Sequence, residues 1–341
     1  DRVATAMGPG RADFVPDVGW FRALQRRGVD LTRIATDAQL PGTLFDRRQQ
    51  TLEVARRGAL IGALIDAVGT PDDPFAAVDA LDAETPSPWL PIWYCSADLS
   101  AALRRCDEFR PLVGPVESRT VRADDQLRCE LTLSSPDSDG AALQLLFDAA
   151  LLLRAAGLAC ERTIVPLRIE SPIGSTLARR VEGRFGAPVV RGAVTTIVLA
   201  ARDADLAIPG EARYRCGLLR PLASQGDAAS GETLRRFREM VIDTIAGGET
   251  TVAYAATRLS TSVRTLQRRL HEEGSAFQIA LAQVRRELAE HYLAETTFGP
   301  TEVAFLLGYR DPNSFYRAFQ NWTRTTPESY RRRRREMVSG T

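Results

Sequence analysis

The 341-residue chain has no lysine, so all 44 of its cationic side chains are arginine. That absence is read as genome composition rather than as selection for binding. Histidine occurs only at His271 and His291. Neither has cysteine or carboxylate neighbours at ligand spacing, which argues against a metal site. Both lie late in the chain, so the N-terminal part holds no imidazole to serve as base for a serine or cysteine nucleophile. No G-x-G-x-x-G or P-loop pattern occurs. The carboxylate pairs Asp72-Asp73 and Asp203-x-Asp205 sit beside turn residues and read as loop. Neither enzyme function nor a cofactor is expected.

The five cysteines (Cys95, Cys106, Cys129, Cys160 and Cys216) are odd in number and widely spaced, with no C-x-x-C. Reduced thiols in a cytoplasm suit this better than a disulfide framework. No apolar run reaches ~18 residues, so no membrane span is expected. The opening DRVATAMGPG has neither a cationic start nor an apolar stretch, so no secretory signal is expected. The length suggests two domains, and 44% hydrophobic residues are enough to fill their cores. The net charge of +1 hides an asymmetry: Thr250 to Arg335 carries 14 arginines against 8 carboxylates.

That basic part contains a repeated scheme. In TVAYAATRL–STS–VRTLQRRL, Val252, Ala255, Ala256 and Leu259 recur at helical spacing. Ser262 then stands where an N-cap belongs. The next helix buries Leu266 and Leu270 and leaves Arg264, Gln267 and Arg268 on the other side. Gly274 ends it, because glycine takes the left-handed conformation cheaply. Pro300 opens the second pair, with Val303, Ala304, Leu306 and Leu307 on its apolar side, and Gly308 stops its first helix. Asp311 caps the following helix, with Phe315, Ala318, Phe319 and Trp322 inward and Asn313, Ser314, Tyr316 and Arg317 outward. In both pairs the cap lies four residues before the first large buried residue. The expectation is two helix-turn-helix units, over 251–274 and 299–324. Between them, Ser275 and Gln278 have capping-box spacing. A helix over about 276–294 would line up Phe277, Leu281, Val284, Leu288 and Tyr292. Its length, roughly 28 Å, compares with about 34 Å for one turn of DNA.

VRTLQRRLHEEGSAF, EVAFLLGYRDPNSFYRAFQNW and TTPESYRR resemble the AraC/XylS-type bacterial transcription regulators. The resemblance covers the last hundred residues closely. It implies double-stranded DNA as partner, with Arg264, Gln267, Arg268, Asn313, Ser314, Tyr316 and Arg317 as contact residues. Arginine can read guanine O6 and N7, and glutamine adenine N6 and N7. One departure lies in WTRTTP: the family usually has a glycine two residues before the Thr-Pro, and Thr325 is taken to stand there. A β-branched residue disfavours positive φ, so an altered turn is expected. The arginine run 331–335 reads as a solvated tail, with phosphate contacts as the alternative.

Earlier in the chain, helices are expected over 18–27, 31–38, 47–68, 100–110, 141–156 and 175–185. Strands are expected over 116–122 and 127–133, forming a hairpin, and over 163–169 and 192–199. ALDAETPSPWLP reads as a proline-punctuated loop. Trp89, Trp93 and Tyr94 read as core, with a ligand pocket as the alternative. The run RRVEGRFGAPVVRGAVTTIVLAARDADLAIPG resembles, more loosely, the N-terminal region of the ornithine- and virulence-regulator-like subgroup, which carries an arabinose-binding-type domain. PLASQGDAASG is the expected linker, and Ser230 the expected cap of a helix over 232–246.

The expected architecture is an α+β sensor or oligomerisation domain over 1–225 and an all-α DNA-binding domain over 232–341. The resemblance implies an effector-responsive activator that acts with RNA polymerase, binds a small molecule through its N-terminal domain and can form a homodimer. The alternative is a structural or repressor-type DNA-binding oligomer with no effector.

Overall fold

The computed structural model describes residues 17–41, 44–45, 54–133, 140–209 and 231–339. It divides into two compact units, and the division is not linear in sequence. One unit holds Asp1–Ser87 with Asp98–Ala207; the other holds Pro88–Ala97 with Ile208–Thr341.

The first unit begins with α1 (Val18–Arg26), α2 (Leu31–Asp37) and α3 (Val54–Val68). Asp17 and Asp30 cap the first two by accepting the backbone N–H of Trp20 and Arg33. The expected start of α3 at Arg47 lies outside the described residues. After α4 (Trp89–Tyr94), which belongs to the second unit, α5 (Leu99–Val113) starts at the Asp98 cap. Strands β1 (Val116–Ala123) and β2 (Gln126–Leu133) form the expected hairpin, turning through Asp124 at φ 49°. Burial alternates along β2: Leu127, Cys129, Leu131 and Leu133 point inward, as a half-covered sheet requires.

Helix α6 (Ala141–Ala159) covers that inner face against β2 and β5. By length and composition it could cross a membrane, which the sequence reading did not anticipate. Asp148 and Arg154 interrupt its apolar run, and more than half of its apolar window is buried inside the unit, as in a core helix. It also runs past Gly157. The left-handed residue that ends it is Glu161, at φ 54°.

Strand β3 (Arg168–Ser171), α7 (Ser175–Phe185) and β4 (Val189–Arg191) form a parallel crossover, and β5 (Thr195–Ala200) leads into α8 (Ala201–Ala204). The sheet order is β1-β2-β5-β3-β4. The strand expected from Thr163 runs as a strand only from Arg168, with Leu167 N donating to Val198 O at 2.7 Å just before it; Pro166 has no N–H to give to a ladder. Asp72 and Asp73 lie in a loop as expected, whereas Asp203 lies inside α8 and Asp205 at its end; Arg184 holds Asp73 and Asp79, and Arg122 holds Asp205. No group of His, Cys, Asp or Glu among the described residues could hold a metal ion. Burial pushes the Cys160 thiol up to about 11 and Cys129 to about 12, as in inert reduced thiols.

The second unit is helical: α9 (Glu232–Thr244), a 3-10 turn (Ile245–Gly247), α10 (Val252–Arg258), α11 (Val263–Glu272), α12 (Phe277–Glu295), α13 (Pro300–Leu306), α14 (Pro312–Thr323) and α15 (Pro327–Ser339). Phe277, Leu281, Val284, Leu288 and Tyr292 form the expected buried stripe of α12. Helices α9, α13, α14 and α15 pack on α12. Helix α4 also belongs here, with Leu90, Ile92 and Trp93 fully buried and Tyr94 nearly so; Trp93 and Tyr94 are core, while Trp89 is only half-buried. The expected loop ALDAETPSPWLP therefore ends in a helix. Its prolines fit because the first turn leaves its N–H groups unbonded anyway.

Two helix ends differ from expectation, and the expected cap of α9 is not among the described residues. Ser275 does not cap α12, whose N-cap is Ala276. The Ser275 N–H is already spent closing α11 on Leu270 O at 2.8 Å, beyond left-handed Gly274. Ser230 lies outside the described residues, and the free N–H groups of α9 are met from a distance: the Glu273 carboxylate accepts Thr233 N at 2.9 Å and Leu234 N at 2.8 Å. The left-handed residue after α14 is Arg324, at φ 56°, rather than Thr325. Counted back from Thr326-Pro327, Arg324 is the residue that holds the glycine position.

A non-glycine residue held left-handed is strained. Arg324→Gly should stabilise the second unit by about 0.5–1 kcal/mol. Thr325→Gly should give no gain, as read from urea unfolding followed by tryptophan fluorescence.

Candidate nucleic-acid interface

The two helix pairs of the second unit are built alike. Each opens with a seven-residue helix, α10 or α13. Each then turns through a left-handed residue, Ser260 at φ 53° or Gly308 at φ 70°. Each restarts at a side-chain cap: Ser262 Oγ accepts Thr265 N at 3.1 Å, and Asp311 Oδ1 accepts Ser314 N at 2.9 Å. The apolar stripes fix the rotation of the second helices. Leu266 and Leu270 turn α11 inward, and Phe315 and Phe319, both 0% exposed, turn α14. Ala318 and Trp322, expected inward, are only half-covered.

On the outer side of α11, Arg264, Gln267 and Arg268 are all exposed. The Arg268 guanidinium donates to Glu272 at 2.6 Å, one helical turn on, and both side chains stay more than half in solvent. Such a pair is worth little, so it leaves Arg268 free to change partner. Arg269 and Arg310 are also exposed. The sequence reading passed over them because neither falls on the expected contact positions.

The four outer residues of α14 divide in two. Asn313 and Arg317 are exposed. Ser314 is half-buried, donating its hydroxyl to Asp311 and accepting from Arg317 at 3.0 Å. The Tyr316 hydroxyl donates to the Glu328 carboxylate on α15. Burial first, then that carboxylate, pushes the Tyr316 phenol well above its ordinary range. The structure therefore leaves Asn313 and Arg317 open and places Ser314 and Tyr316 in local hydrogen bonds.

Three further arginines have different roles. Arg285 reaches from α12 to accepting carbonyls at the end of α13, donating to Leu307 O at 3.0 Å, and lies 4.5 Å from the Tyr309 ring centroid. Arg286 pairs with Glu290 at 2.8 Å. The run 331–335 is no loose tail, since it lies inside α15. Arg331 is 7% exposed and donates to Leu293 O at 3.1 Å and to Phe298 O, tying the end of α12 and its exit loop to α15. Arg332, Arg333 and Arg334 remain outside.

In the first unit, a cavity of about 360 Å³ lies between the second half of α6, residues 162–165 and the end of α7. Arg154, Arg162, Leu158, Ile164 and Phe185 are among its lining residues. Arg184 is there too, already engaged by Asp73 and Asp79.

Two family models match. Residues 28–208 match the arabinose-binding domain of AraC transcription regulators, N-terminal part, and residues 255–333 match a helix-turn-helix domain. The chain is 44% identical over 77 residues to the ornithine utilization regulator of Pseudomonas aeruginosa, covering 23% of each chain. It is 31% identical over 133 residues to the HTH-type transcriptional regulator VirS of Mycobacterium tuberculosis, covering 39% of this chain and 38% of VirS. The matched stretches thus span less than two-fifths of either relative. Among solved structures, the transcriptional regulator CdpR from Pseudomonas aeruginosa aligns over 92% of this chain and 98% of its own, at 20% identity and a TM-score of 0.38.

The roles of the C-terminal arginines separate by stability. Arg331→Ala removes charged hydrogen bonds to buried carbonyls and should cost about 2 kcal/mol. Arg332→Ala with Arg333→Ala should stay within about 0.5 kcal/mol of the parent. Denaturant titration of the three proteins checks this.

Proposed function

The chain belongs to the AraC-type transcription regulators, and from that membership we propose that it is a cytoplasmic, sequence-specific DNA-binding regulator whose second unit reads two successive major grooves. The observation that carries this is the duplicated build: two capped helices, each with its apolar stripe buried and arginine and amide groups outside. On α11, Arg264, Gln267 and Arg268 share one side at spacing i, i+3, i+4, and arginine and glutamine can each make paired hydrogen bonds to a base edge. On α14, Asn313 and Arg317 are the available readers. Ser314 and Tyr316 act there through those neighbours or on the sugar-phosphate backbone. The 19-residue α12 spans roughly 28 Å, close to one duplex turn of about 34 Å. The exposed arginines of α15 add phosphate contacts.

The first unit is proposed to sense a small molecule. Its cavity supports this reading: Arg154 and Arg162 beside Leu158, Ile164 and Phe185 suit an anion with an apolar body. An effector that prefers one state of the protein shifts the population that docks on DNA and engages RNA polymerase. Activation and assembly as a homodimer belong to the same proposal.

Arg268→Ala should weaken binding to a selected duplex by about 1–3 kcal/mol and relax preference at one base pair. Asn313→Ala should likewise relax one position. Gel-shift titrations over single-base variants read both, and equal binding by Arg268→Ala and the parent would overturn the reader assignment. For the sensor, a panel of small carboxylates screened by thermal shift should give a binder that alters DNA affinity and that Arg154→Ala no longer takes. A panel that changes neither DNA affinity nor transcription in a reconstituted assay would remove the effector role.

A further inference from the structure

The segment Pro88–Ala97 leaves the first unit, joins the second and returns. Its ends are held inside the first unit. On one side, the Ser87 hydroxyl donates to the Asp17 carboxylate, the cap of α1. On the other, Asp98 caps α5 through Ala101 N at 2.7 Å and pairs with Ala207 in an antiparallel bridge. At the residues next to this bridge, inside the second unit, Ile208 N donates to Ala97 O at 3.1 Å.

The segment itself is core of the second unit. Leu90, Ile92 and Trp93 are 0% exposed and Tyr94 is 3%. Helix α4 packs on the 3-10 turn Ile245–Gly247, and Cys95 Sγ donates to Ile242 O at 3.7 Å. The approach is close: a Cβ on Gly247 would stand 2.5 Å from Cys95 O and 3.2 Å from its carbonyl carbon. Gly247 does not have the positive φ that would itself demand glycine, so what excludes a side chain there is the backbone of the inserted segment. The same turn packs on α13, and α9, which leads into it, packs on α10, α11 and α12. The second helix pair therefore rests on the turn that Pro88–Ala97 touches, and the first pair rests on α9, the helix that leads into that turn.

We propose that Pro88–Ala97 is a strap through which the state of the first unit sets the DNA affinity of the second, acting on the turn Ile245–Gly247. This rests on the DNA-reading assignment for its output, and on the geometry alone for its mechanics. A change in the first unit that shifts Ser87 or Asp98 moves α4, α4 moves the turn, and the turn moves α9 and α13, on which α11 and α14 pack. A flexible tether could carry only proximity; a buried helix carries displacement.

The test uses the full chain and hydrogen exchange read by mass spectrometry. In the parent protein, amides of 89–96 should open together with those of 242–247 and separately from β1 and β2. Gly247→Ala should lower protection of both segments at least tenfold and leave β1 and β2 unchanged. It should also weaken binding at least tenfold to a duplex that the parent selects from a random library. Gly62→Ala, in α3 with open space around it, is the control and should change neither. If Gly247→Ala does not fold, the parent alone still decides, since adding the selected duplex should protect 89–96 along with 242–247. The proposal is overturned if 89–96 exchanges with α5, if Gly247→Ala leaves its protection intact, or if the segment loosens while DNA affinity changes less than twofold. Failure of the parent to select any duplex would count against the DNA reading; the shared opening of the two segments is measured without DNA and tests the strap on its own.

Discussion

The second unit depends on one dry seam, the stripe Phe277, Leu281, Val284, Leu288 and Tyr292 along α12, none more than 8% exposed. Withdrawing such side chains from water stabilises by roughly 1.5–3 kcal/mol each and has no direction of its own. Helical spacing supplies the direction by placing all five on one face. Four other helices pack on α12, so α14 is oriented by direct packing on it and α11 indirectly, through α9. Rigid separation follows, because a packed helix of this length does not shorten or bend without opening the seam.

Without lysine, one residue type must act both inside and outside the fold. Arg285 and Arg331 are drawn in because a planar guanidinium can donate to several carbonyls at once, and the ends of α12 and α13 present such carbonyls. Burial counts against the charge of Arg285 and lowers its pKa, yet the Tyr309 ring lies beside it. Outside, Arg268 pairs with Glu272 and Arg317 donates to the Ser314 hydroxyl, both in high-dielectric surroundings where such contacts hold little energy. Burial alone separates the framework arginines from those that can meet another molecule.

Much of this was legible in the sequence because the signals are local. The caps Ser262 and Asp311, the stop at Gly274 and the stripes of α11, α12 and α14 each need only a few neighbouring residues to be recognised. What escaped was set by partners far along the chain or by competition for one group. Ser275 has capping-box spacing, but its N–H is already engaged by the preceding helix. Glu273 caps a helix some forty residues away. Arg331 sits in an arginine run that reads as solvated, and only the fold brings the carbonyls of Leu293 and Phe298 to it. Trp93 and Tyr94 were legible as core, while nothing local says which unit they are core to. On the outer faces of α11 and α14, the exposure of Arg264, Gln267 and Arg268 follows from spacing, whereas the engagement of Tyr316 depends on where α15 places Glu328.

The non-contiguous second unit also bears on how such a protein can be recombined. A chimera that joins residues 232–341 to a foreign sensor would inherit a notch lined by Ile245 and Ala246, with no helix to fill it. The donor sensor would have to bring its own insert of matching shape. Exchange of the second unit between such proteins is thereby confined to partners that carry a fitting plug.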